Sequence, residues 1–103
     1  VSTTKTRTVA PVTSCAMPHL PPMRSDVERL AWHATRRFAR FRVLAWTCHE
    51  HRATWYELCQ GSGVWFIQRM SGDPLKPNVA QSHAWREAEA RQMWVALLFG
   101  AVR

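Results

Sequence analysis

Val27, Leu30, Ala31, Ala34 and Phe38 recur at intervals of three and four, the spacing of one apolar helix face. Ser25 stands three positions before Glu28, so the pair can form a capping box in which each side chain takes up an orphan backbone amide. Asp26 and Glu28 also suit the positive end of a helix dipole. The pattern predicts a first helix starting at Ser25 and running through Phe38.

The spacing then falls to two. Residues 41–48 (FRVLAWTC), 54–60 (TWYELCQ) and 64–70 (VWFIQRM) are rich in aromatic and β-branched residues, which predicts three strands. Gly61, Ser62 and Gly63 form the tight link between the second and third. Symmetric pairing about Ser62 sets Cys59 opposite Trp65, Glu57 opposite Ile67 and Trp55 opposite Arg69. One face then carries Leu44, Trp46, Tyr56, Leu58, Val64 and Phe66. The other carries Phe41, Val43, Trp55, Cys59, Trp65 and Ile67. Both are apolar, so both need a cover.

Residues 71–81 hold Gly72, Pro74 and Pro77 and read as a loop. A last helix starts at Asn78 or Ser82 and runs to about Phe99, ahead of Gly100. Its second half, MWVALLF, is apolar nearly all round, where a single small core needs only one stripe. Trp94, Val95, Leu97, Leu98 and Phe99 are therefore the expected interface of a homodimer. The sum is an α+β fold in the order α-β-β-β-α, with a three-stranded antiparallel sheet and an apolar C-terminal helix.

Residues 1–24 show no period and hold four of the chain's six prolines. They read as a flexible basic arm preceding one domain at 25–103, the natural count for 103 residues. No apolar run is long enough to span a bilayer. With no secretion signal evident and an odd number of cysteines, a reduced, cytoplasmic protein without membrane contact is the simplest expectation.

Charge narrows the partners. The formal net charge is +7, and 12 of the 14 basic residues are arginine. Such a field draws nucleic acid or an acidic protein. On the predicted helix Arg36 and Arg40 share a face flanked by Arg37, away from the apolar stripe. With Arg29, Arg42 and the arm's Lys5 and Arg7 they form the expected contact to phosphates, so a small DNA-binding regulatory protein is the first functional expectation. The alternative is a protein-interaction or adaptor domain using an exposed tryptophan-rich surface and the apolar last helix, since the chain has six tryptophans.

Chemistry concentrates in WTCHEHRATWYELC, residues 46–59. Cys48, His49, His51 and Cys59 are the nearest approach to a zinc set, but strand alternation turns His49 away from Cys48, and pairing carries Cys59 up the hairpin. Ligands from the arm, Cys15 or His19, would have to be recruited. Cys48 with His51 and Glu50 is the nearest approach to a thiol nucleophile, and no glycine-rich phosphate loop or HExxH accompanies it. The expectation is two packing thiols, with no metal, cofactor or catalytic residue.

Overall fold

In the computed structural model, which describes residues 17–34 and 38–103, the strands are β1 (Arg42–Trp46), β2 (Thr54–Gly61), β3 (Val64–Ser71) and β4 (Asn78–Gln81), followed by one helix, α1 (Glu87–Leu98). They form a four-stranded antiparallel sheet in the order β1-β2-β3-β4. The expected three-stranded sheet between two helices is thus corrected at both ends of the chain.

Among the described residues the first helix does not form. After a turn at Ser25 and Asp26, closed by the Val27 amide on the Arg24 carbonyl at 3.1 Å, residues 27–33 run along the C-terminal residues and then along β4. The Glu28 amide donates to the Ala101 carbonyl at 2.9 Å and the Leu30 amide to the Arg103 carbonyl at 2.8 Å, while the Arg103 amide returns a bond to Glu28. Further on, His33 and Gln81 exchange both backbone bonds at 2.9 Å. A capping box supplies only local stability, and an isolated helix of this length is marginal. Here the amides have long-range partners, and Trp32 gains a seat against Tyr56 with the Arg69 guanidinium 4.7 Å above its ring.

β4 lies inside the segment expected to be a loop. Gly72, at φ 89°, turns the chain after β3, and Asp73 caps the Leu75 amide at 2.9 Å. Beyond β4 the chain stays alongside β3: the Ser82 amide donates to the Ile67 carbonyl at 2.9 Å, and Trp85 pairs with Trp65. Ser82 is therefore no helix cap. Its hydroxyl accepts the Ile67 amide at 2.9 Å, and α1 starts only after Arg86.

The β2–β3 turn has two residues, not three. Gly61 pairs with Val64, leaving Ser62 and Gly63 at φ 56° and 78°, the signature of a type I′ hairpin. This sets Cys59 opposite Phe66, Glu57 opposite Gln68 and Trp55 opposite Met70. A shift of one residue exchanges the faces of a strand. Trp65 and Ile67 consequently join Tyr56 and Leu58 under α1, where Ala90, Trp94, Leu97 and Val102 complete the core. Phe66 goes to the other face, stacked on Phe38 at 4.5 Å and edged by Phe41 at 5.3 Å.

Candidate functional site

Arg29, Arg40 and Arg42 are exposed, but no helix aligns them. Lys5, Arg7, Arg36 and Arg37 lie outside the described residues. Arg42 sits on β1 and donates to the Gln60 side chain at 2.7 and 3.0 Å. Arg29 faces a cavity of about 330 Å³ that it shares with Arg69, Arg103 and Tyr56. The sequence offered no signal for that convergence, because it depends on the extended course of residues 28–30 beside the C-terminal residues. Among the described residues, ion pairs involve only Arg24 with Asp26 and Arg91 with Glu87, so most of the positive charge faces outward.

The residues expected at a dimer interface divide. Trp94 and Leu97 are buried in the core and Leu98 is half-buried, whereas Val95 and Phe99 are exposed, Phe99 at 68%. The apolar half of α1 therefore finds one partner in its own sheet and keeps a narrower outer strip.

β1 is an edge strand. Its side chains Val43, Leu44 and Trp46 are all exposed, and among the described residues no strand pairs with its outer side. Pairing with β2 breaks register between Val43 and Ala45, a bulge that points Leu44 outward. Between β1 and α1 lies a groove of about 590 Å³. Leu44, Ala45, Leu58, Trp65 and Trp94 form its apolar lining, and Arg42, Gln60, Glu87 and Arg91 its polar rim. Arg91 is held by Glu87 at 2.9 Å and lies 4.9 Å over the Trp65 ring. The groove continues past Trp46 to Met17 and Pro18, where the Trp46 indole N–H donates to the Met17 sulfur at 2.8 Å.

The cysteines and histidines of residues 46–59 separate into two places. Cys59 lies within the sheet between Val43 and Phe66, fully buried, and burial pushes its thiol up to about 12, with Glu57 adding to the rise. His49 stands near the Trp55 ring. Cys48 instead follows β1, its amide bonded to the Pro18 carbonyl at 3.0 Å. Its sulfur lies 3.2 Å from His51 Nδ1, and His19 brings a second imidazole to 5.3 Å from the first, centroid to centroid. Spacing could suggest Cys48 with His51; the approach of His19 is set by the docking of residues 17–20.

Comparison with family models, curated proteins and solved structures yields no match for this chain. Among the described residues no helix is long and apolar enough to cross a membrane.

Proposed function

We propose that this chain is a protein-interaction module that receives an extended, acidic segment of a partner protein along the open edge of β1. The observation that carries this reading is a strand edge that no strand of the described residues pairs, with an apolar groove beside it. An added strand would gain main-chain hydrogen bonds from β1, and every second side chain would enter the groove against Leu58, Trp65 and Trp94. The exposure of Val43, Leu44 and Trp46 gives the incoming strand an apolar contact, which natural edges otherwise avoid. The net charge of +7 favours acidic partners and speeds their approach. Arg42, bonded to a neutral amide, keeps its charge available at the rim.

Selection of short random peptides against the full chain tests this. Sequences with alternating apolar residues and flanking aspartate or glutamate should emerge, and Leu44→Asp should abolish their binding while the circular dichroism spectrum is kept. Their amide signals in the complex should show protection from exchange. Binding that survives Leu44→Asp in a folded protein overturns the groove. Duplex DNA binding with a steep salt dependence, in the absence of any selected peptide, would return the positive charge to a phosphate contact.

A further inference from the structure

We propose that His19, Cys48 and His51 are three ligands of a zinc ion that fastens residues 17–20 to the end of β1. The inference is independent of the groove and its occupant. One ligand atom from each of the three side chains lies within 4.8 Å of the other two. In a tetrahedral zinc site with the usual bond lengths, neighbouring nitrogen and sulfur ligands stand about 3.3–3.6 Å apart. The Cys48 sulfur and His51 Nδ1 are already at 3.2 Å, so only His19 must close the remaining gap by a side-chain adjustment.

The backbone prepares the site from two directions. Thr47 ends the pairing of β1 with β2 by donating its amide to the Tyr56 carbonyl at 2.9 Å, which fixes the next residue, Cys48. The turn that follows brings His51 back over the sulfur. From the other side, the Pro18 carbonyl bonds the Cys48 amide and Met17 meets Trp46, so His19 arrives on a tethered segment. Cys48 is buried, whereas both histidines are exposed, which leaves the ion a path of entry. A thiolate with two neutral imidazoles is the borderline-soft donor set that zinc prefers, and magnesium and calcium do not.

The test is metal binding by the full chain after removal of metal with a chelator, using Zn²⁺ and Co²⁺ alone. One equivalent should bind. Co²⁺ should give a thiolate charge-transfer band together with the intense visible bands of tetrahedral coordination, and Zn²⁺ should displace it. His19→Ala, a change at an exposed residue, should weaken binding at least tenfold, as should Cys48→Ser. His49→Ala and Cys59→Ala should leave the affinity unchanged. Co²⁺ bound without a thiolate band, or His19→Ala binding as tightly as the unaltered chain, overturns the site.

Discussion

The side chain of Gln81 holds the backbone of Phe38 from both sides: its amide nitrogen donates to the Phe38 carbonyl and its oxygen accepts the Phe38 amide, each at 3.1 Å. The same nitrogen also donates to Gln68, whose own amide donates to Glu57. This polar chain crosses the sheet face opposite α1. It fixes the aromatic ring that stacks on Phe66, so one buried amide both satisfies the backbone and positions an apolar cover.

Gln81→Leu should therefore destabilise the fold by about 2–4 kcal/mol. The shape is nearly kept, but the bonds to Phe38 and Gln68 are lost in a fully buried place, and each orphaned group costs about 1–3 kcal/mol. Urea unfolding measures the loss. Quenching and mobility of residues near Phe38, read by exchange of its amide, should change before the rest of the sheet opens.

How much of this was legible in the sequence depends on the range of the forces involved. The three long strands were readable because Val43, Trp55, Tyr56 and Ile67 advertise a pleated surface. β4 was not, because four residues, NVAQ, are too few for a pattern, and its place is set by pairing with Gln68–Ser71. The Ser25–Glu28 box satisfies the local rules for a helix start, yet no helix follows it, because the competing bonds to Ala101 and Arg103 come from the far end of the chain. Cys48 and His51 are neighbours in sequence and in space. His19 joins them through the docking of Met17 and Pro18 against Trp46 and Cys48, for which no spacing rule exists.

The hairpin turn offers a stabilising change. Ser62 stands at φ 56°, a left-handed conformation that serine adopts at a cost and asparagine more readily. Ser62→Asn creates the Asn-Gly pair preferred by type I′ turns and should raise stability by a few tenths to about 1 kcal/mol. Gly63→Ala should act in the opposite direction by about 1 kcal/mol: there is open space for the methyl group, so the cost isolates the φ of 78°. Thermal melts of the two variants should bracket the unaltered chain; a shift in the same direction for both would contradict the turn type.

Arg103 closes the helix end. Its guanidinium donates to the carbonyls of Leu97 and Val102 at 2.7 and 2.8 Å and to that of Pro21 at 2.7 Å. A cation there complements the negative end of α1 and joins the helix to residues 21–24, which Arg24 also ties to Gly100. Arg103→Ala should cost about 2–3 kcal/mol, the range for hydrogen bonds made by a charged group. Arg103→Lys should recover only part of it, since an ammonium lacks the planar fork that spans two carbonyl sites. Proteolysis should then cut first within residues 20–24.

Stability should fall as pH rises at both ends of the accessible range, because the buried acids of β2 hold their protons more tightly folded than unfolded. Burial raises the Glu57 carboxyl above its ordinary value, against the bond from Gln68 and the pull of His49. Its protonated form is thus favoured in the fold, the contribution is complete below the unfolded value near 4.5, and it is lost as pH climbs through the raised folded value. Glu57→Gln, which keeps an oxygen for Gln68, should be more stable than the unaltered chain at neutral pH. At the alkaline end Cys59 acts in the same sense. Its thiol ionises near 9.0 in the unfolded chain and at about 12 when folded, so between these values unfolding releases a proton. The loss reaches a ceiling of about 4 kcal/mol above the folded value, at about 1.4 kcal/mol per unit. Tyr56, raised by burial despite Arg103, Arg69 and Arg29, adds to it above pH 10. Urea midpoints measured from pH 8 to 11 should decline steadily, and the decline should be shallower in Cys59→Ala, which keeps the Tyr56 contribution. An equal slope in the two proteins would show that the Cys59 proton is not retained by the fold.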